Sequence, residues 1–267
     1  MTFDSSHSDA RPWKLPVRGA PFDRVPKELV DRFADVSAAT ACAKLHHLGV
    51  TRTFIEGPRP LRPGARVVGS ALTLQFMPQR EDVASGMAQE YVERYTALWA
   101  VLDSVQPGDV LVVEARGSAR TGCLGEMLIK YFAARGGAGI VVDGRIRDTP
   151  KVGDLDLPIW SNGATPHYAS QSELFPWAYD VPVAVGGALV LPGDIVVADD
   201  DGAVVVPRAL GEELVQQAQH HEDWEDFSRR RITEGGALSK YYPLDDDAQQ
   251  EYVEWRAARV NGTQLDV

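Results

Sequence analysis

Twice in this chain a Pro-Gly-Asp triplet runs directly into a β-branched apolar stretch, and this repeat restricts the fold more than any other feature. Pro107-Gly108-Asp109 precedes Val110-Leu111-Val112-Val113, and Pro192-Gly193-Asp194 precedes Ile195-Val196-Val197. Proline sets φ and glycine accepts positive φ, so the pair makes a tight turn. The apolar runs lack alternation, which is how strands buried on both faces read. Pro63-Gly64, ahead of a strand expected over Arg66 to Phe76, is a weaker third copy, and Gly69 in that strand suggests a bulge or a close backbone approach. The device specifies strand entry and carries no chemistry of its own.

Helices are expected between these strands. One covers Pro26 to Phe33, with Pro in its first turn. A second starts at Ser37 and stops at Gly49, a third spans Gly86 to Leu102, and a fourth runs from Gly125 to Ala134. Short strands follow at Gly139 to Val142 and Leu157 to Trp160, with a loop from Asp143 to Asp148 between them. Asp199-Asp200-Asp201-Gly202 reads as a turn between strands 195–198 and 203–206. Beyond Pro207 the chain is helical to about Arg231. The tail then becomes acidic and aromatic (Tyr241, Tyr242, Tyr252, Trp255), as a segment that packs on the core or on a neighbouring subunit would be. The division is an arm over 1–25, one α/β domain over 26–210 and a helical extension over 211–267.

With 267 residues, 44% of them hydrophobic, the chain can bury a sizeable core, and no apolar run is long enough for a membrane span. The start, Met1 to Trp13, has neither the basic nor the apolar region of a secretory signal. Two cysteines, Cys42 and Cys123, make no disulfide framework, so a reducing cytoplasm is expected. A net charge of −11 argues against a nucleic-acid partner. The one basic run, Arg229-Arg230-Arg231, sits among acids and reads as a solvated helix face.

The candidate chemistry lies at Gly125-Glu126-Met127-Leu128 and, after one helix and one strand, at Arg147-Asp148. A helix start offers unpaired N–H groups to an anion, so the amides of Glu126, Met127 and Leu128 suit a ligand carboxylate. Asp148 offers hard oxygen to Mg²⁺ or Mn²⁺, which keep several waters and need only one or two carboxylates. Arg147 offers a permanent planar donor set for a carboxylate or enolate oxygen. A divalent ion polarises the carbonyl of a 2-oxo acid, so the bond two carbons away breaks to a stabilised enolate. Glu126 suits the orientation of water for proton transfer. Taken alone, an Arg-Asp pair in a loop is more often a surface ion pair, and a Glu in a first turn merely a dipole partner.

Four ordered blocks carry a resemblance. They are residues 59–76 (RPLRPGARVVGSALTLQF), 105–117 (VQPGDVLVVEARG), 125–148 (GEMLIKYFAARGGAGIVVDGRIRD) and 191–207 (LPGDIVVADDDGAVVVP). In these the chain resembles the RraA-like family, which includes 4-hydroxy-4-methyl-2-oxoglutarate and 4-carboxy-4-hydroxy-2-oxoadipate aldolases. The resemblance covers roughly Val36 to Pro207. It implies an α/β fold, a layered β/β/α sandwich of the swivelling-domain type, assembled as a trimer or a dimer of trimers. It also implies that Asp148 holds the metal, that Arg147 binds substrate and steadies the enolate, and that Glu126 organises water. The amides of Gly125 to Leu128 would grip the pyruvyl carboxylate. The aldolases carry Asp where Glu126 stands, and many relatives carry Asp where Ala43 stands. An acidic residue from an adjacent subunit, here Glu222 or Glu225, is also implied.

The expected activity is therefore metal-dependent cleavage of a 4-hydroxy-2-oxo acid to pyruvate, with oxaloacetate decarboxylation beside it. A regulator that binds and inhibits RNase E is the alternative within the same family. A methyltransferase is disfavoured because no glycine-rich strand-to-helix turn is present. A Schiff-base aldolase would need Lys130 or Lys151 as nucleophile. Arg80, Arg145 and His167 are candidates for the distal end of the substrate.

Overall fold

The structure, a computed structural model, describes residues 14–80, 96–169, 171 and 173–260. It divides into two units, Met1–Leu214 and Val215–Val267, the boundary falling within the helix Gly211–Thr233. In chain order the strands are β1 (Val17–Arg18), β2 (Phe54–Ile55), β3 (Arg59–Pro60), β4 (Val67–Pro78), β5 (Asp109–Glu114), β6 (Gly139–Val142) and β7 (Ile159–Ser161). They continue with β8 (Leu174–Tyr179), β9 (Val183–Val185), β10 (Ala188–Val190), β11 (Ile195–Asp199) and β12 (Gly202–Val206).

The main sheet runs β2-β12-β11-β4-β5-β6-β7-β3, and β8 joins β4 and β1. Strands β4 to β7 are parallel. The long β4 takes β11 antiparallel along its first half and β8 antiparallel along its second. Side chains alternate between the two faces of β5. Leu111 and Val113 pack with Leu98, Val101, Ile129 and Phe132 of the helices Ala97–Asp103 and Glu126–Ala134. Val110 and Val112 pack on the opposite face with Val183, Val185 and Val190 of the β9–β10 hairpin. Helices cover one side of a mixed sheet and strands the other, as the layered α/β expectation requires.

Buried carboxylates tie that hairpin to the sheet. Glu114, at the end of β5, accepts the Ala184 N–H at 3.2 Å, and Asp143, just past β6, accepts the Gly186 N–H at 3.4 Å. Asp143 also accepts from the Ala115 N–H.

The repeated turns have one construction. Gly64, Gly108 and Gly193 have φ of 75°, 89° and 88°. Asp109 accepts the Gln106 N–H and Asp194 the Leu191 N–H, each at 2.9 Å, so the third residue of each triplet locks its own turn. Gly69 does mark a close approach, since a Cβ there would lie 2.2 Å from the Gly108 carbonyl.

Ser37 caps the helix Ala38–His47 by accepting the Thr40 N–H, and Gly49 follows its end at φ 81°. Pro26 proves to be the cap of the helix Lys27–Arg32 and stands outside its first turn. The helix expected over Gly86 to Leu102 needs correction in its described part. It starts at Ala97, because Thr96 is extended and caps it by accepting the Leu98 N–H; residues 86–95 lie outside the described residues.

In the second unit, Phe227, Tyr241, Tyr252 and Trp255 stack on one another and account for the aromatic tail. Arg229 and Arg230 pair with Asp226 and Glu234 on a face in solvent. Against the expectation of a wholly solvated run, Arg231 turns in over the Phe227 ring and pairs with Glu234 and Glu251. Among the described residues no helix is long and apolar enough to cross a membrane.

Candidate active site

The site assembles where the parallel strands end. After β6, residues 145–147 continue in extended form between two other segments. Cys123 N–H donates to the Arg145 carbonyl at 2.8 Å and Arg147 N–H to the Leu124 carbonyl at 3.0 Å. On the other side Ile146 exchanges bonds with Gly163 and Thr165 at 3.1 and 3.0 Å. Ile146 is buried in the core, so its neighbour Arg147 turns outward by strand alternation.

Asp148 then takes a left-handed conformation, φ 59° and ψ 30°. Its carbonyl starts the short helix Thr149–Val152 by accepting from Lys151 and Val152 at 2.9 and 3.0 Å. For a residue with a Cβ this backbone costs roughly 1–2 kcal/mol, and Asp is among the few that adopt it.

Glycine brings the parts together. Gly125 caps the helix Glu126–Ala134 without a side chain, and a Cβ there would lie 2.6 Å from Asp148 Oδ2 and 2.7 Å from Arg147 Nε. The Asp148 carboxylate supplies the missing cap, accepting the Glu126 N–H at 3.2 Å, with Arg147 Nε 3.8 Å from the same oxygen. Ile129 N–H is the first to bond back into the helix, at 3.1 Å to Gly125. The first four amides of a helix, counted from its cap, have no partner within it. One of these is thus met by Asp148, and the Met127 and Leu128 amides remain for a ligand. The helix is held by Ile129 and Phe132 in the core, while Met127 is 71% exposed.

Family membership follows from a whole-domain match. A family model described as RraA-like, Aldolase/RraA, matches residues 31–205. The chain belongs to the RraA-like family. A putative 4-hydroxy-4-methyl-2-oxoglutarate aldolase of Halalkalibacterium halodurans is 32% identical over 184 residues, which are 69% of this chain and 80% of that one. A 4-hydroxy-4-methyl-2-oxoglutarate aldolase of Thermus thermophilus is 36% identical over 108 residues, 40% of this chain and 65% of that one. The crystal structure of Streptomyces coelicolor RraAS2, described as an unusual member of the RNase ES inhibitor RraA protein family, is 64% identical with a TM-score of 0.72. That match covers 78% of this chain and 99% of RraAS2.

In this RraA-like chain the Asp148 side chain is 43% exposed, and Oδ2 takes both the hydrogen bond from Glu126 and the ion pair with Arg147. Among the described residues no three His, Cys, Asp or Glu side chains gather as metal ligands. A half-open carboxylate outside any such cluster fits a hydrated Mg²⁺ or Mn²⁺ better than a closed zinc site.

Other sequence candidates separate. Gly122, which the sequence reading overlooked, brings His167 and Thr165 towards Arg147. A Cβ on it would lie 2.2 Å from the His167 carbonyl, 3.3 Å from Thr165 Cγ2 and 3.4 Å from Arg147 Cβ. Thr165 Oγ1 and His167 Nδ1 are hydrogen-bonded at 2.8 Å. Its only sequence signal was a glycine three residues ahead of Gly125. Arg145 donates to the Ala164 carbonyl at 2.9 Å. Arg80, Lys130 and Lys151 are exposed, and an exposed lysine lacks the burial that makes an amine nucleophilic. Glu225 pairs with His221 and Tyr242, and it belongs with Glu222 to the C-terminal unit.

Proposed function

We propose that this protein is a divalent-metal-dependent lyase that cleaves a 4-hydroxy-2-oxo acid and releases pyruvate, with oxaloacetate decarboxylation as a side activity. The observation that carries this reading is the meeting of Arg147, Asp148 and an open helix N-terminus at Gly125, a position where no side chain fits. Asp148 would hold the Mg²⁺ or Mn²⁺, which when bound supplies Lewis-acid polarisation of the 2-oxo carbonyl.

This chain's own groups have the remaining tasks. The Met127 and Leu128 amides bind the 1-carboxylate, with the helix dipole in its favour. The Arg147 guanidinium stabilises negative charge on the enolate oxygen as the C3–C4 bond breaks. The 4-hydroxyl must lose a proton in that step and C3 must regain one, and Glu126 in the first turn is assigned this transfer. Decarboxylation of oxaloacetate passes through the same enolate, so the same groups serve it. Met127, exposed in the first turn beside the site, leaves room for its completion by another copy, in a trimer or dimer of trimers. Pyruvate release from a panel of 4-hydroxy-2-oxo acids, with Mg²⁺ or Mn²⁺ and with EDTA, tests the reading. Undiminished release by Asp148→Ala excludes it.

The 64% identity to RraAS2 favours a second reading, a regulator that binds and inhibits an RNase E-type ribonuclease. It predicts a complex with the ribonuclease that forms equally well with Asp148→Ala. Absence of any complex at micromolar concentrations removes it.

A further inference from the structure

A cleft of about 380 Å³ opens at the opposite end of the sheet, where β5 begins. Arg18, Arg24 and Arg135 line it together with Phe22, Val105, Asp180 and Asp103, whose carboxylate accepts from the Tyr131 hydroxyl at 2.8 Å. These cations are held in place. Arg24 forks onto the buried Asp109 with Nε–Oδ1 at 2.7 Å and Nη2–Oδ2 at 2.9 Å, and it also donates to the Ser104 carbonyl at 3.1 Å. Arg135 follows the end of the helix Glu126–Ala134, donates to the Asp103 carbonyl at 2.8 Å and lies over the Tyr131 ring. Among the described residues it bonds no carboxylate.

Arg18 donates through Nε to Asp180 Oδ2 at 3.2 Å. Asp180 is buried, and its Oδ1 has no hydrogen-bond partner among the described residues. Burial raises its pKa, and the hydrogen bond from Arg18 pulls the other way. A guanidinium carries five N–H donors, and the bonds above use only some of them. The cleft therefore presents fixed, partly unspent guanidinium edges around a floor with apolar surface from Phe22 and Val105. Arg18, Phe22 and Arg24 come from a segment that precedes the family match at residue 31, added to the sheet through β1 on β8. The cleft thus joins residues outside the family match to residues within it. It lies about 14 Å from the Asp148 end, the length of the nine-residue helix that runs between them.

We propose that this cleft binds a small organic polycarboxylate, as a site separate from that of Arg147 and Asp148. Arginine forks match carboxylates in pairs, and the apolar floor suits a carbon skeleton, which a bare inorganic anion lacks. The proposal does not depend on the lyase reading.

Calorimetric titration of the full chain with citrate and succinate, at fixed ionic strength and with phosphate and chloride as controls, tests it. Citrate is expected to bind saturably and more tightly than phosphate. Arg135→Gln and Arg18→Gln should each weaken it about tenfold or more, and Arg147→Ala should leave the constant unchanged. The Arg18 side chain is 59% exposed, so its variant reads the site even if Arg135→Gln folds poorly. Citrate binding no tighter than phosphate or chloride overturns the proposal, as does affinity lost in Arg147→Ala but kept in Arg135→Gln and Arg18→Gln.

Discussion

Asp148 accepts the backbone N–H of Glu126 at 3.2 Å across a separation of 22 residues, so one carboxylate both caps a helix and faces the candidate site. The two roles separate by substitution. Asp148→Ala should remove nearly all pyruvate release and, through the lost cap, about 1 kcal/mol of stability, or roughly 2–4 °C in Tm. Asp148→Gly should be equally inactive but melt higher than Asp148→Ala, because glycine relieves the left-handed backbone. Calorimetric scans of both variants check the order, and the reverse order would mean that φ 59° carries no strain.

Gly125→Ala places a methyl group 2.6 Å from Asp148 Oδ2 and 2.7 Å from Arg147 Nε. Both side chains must move, and a displacement of about 1 Å costs on the order of 10²-fold in rate. The expected stability loss is about 1–3 kcal/mol. Steady-state kinetics beside denaturant titration reads both, and a variant with wild-type kcat/KM would remove Gly125 from the site.

Asp143 gives a pH signature. Burial is the main cause that raises its carboxyl above the usual range, and the N–H groups of Ala115 and Gly186 pull the other way. The folded chain then holds a proton that the unfolded chain has released. This stabilisation is complete below the unfolded pKa and fades as pH rises through the folded one. Asp143→Asn cannot titrate, so its deficit against wild type should widen as pH falls from about 7 towards 4. Urea midpoints measured across that range check the sign; a narrowing gap contradicts it.

The two thiols should differ in reactivity. Cys123 is fully buried and burial pushes its thiol well above the ordinary range, whereas Cys42 is partly exposed. Thiolate is the reactive form, so a disulfide reagent should modify Cys42 in the native protein and Cys123 only after denaturant is added. Rapid loss of both thiols under native conditions would contradict the burial of Cys123.

Much of this was legible in local sequence. The Ser37 cap, the three Pro-Gly turns and the start of the helix at Glu126 are all decided by residues adjacent to one another. The two-residue strands β1 to β3 were missed, and so were three longer ones, β8, β9 and β10. Pro176 interrupts β8, and β9 and β10 are three-residue strands around Gly186-Gly187, too short to show a period. The site residues were visible as types in order, and their convergence was not. Gly125 and Gly122 matter through side chains 22 to 43 positions away, and no local pattern encodes the left-handed turn at Asp148.

The β9–β10 hairpin hangs from Glu114 and Asp143, the residues that close β5 and β6 and open the two loops leading to Gly125 and Arg147. Its tip would pass for free surface, a natural place to graft an epitope or a fluorophore. Only half of it is: Gly187 faces open space, whereas a Cβ at Gly186 would meet the Glu56 carbonyl at 2.3 Å. An insertion there would pull on both carboxylates at once, and its effect would surface as weakened turnover on the far side of the sheet.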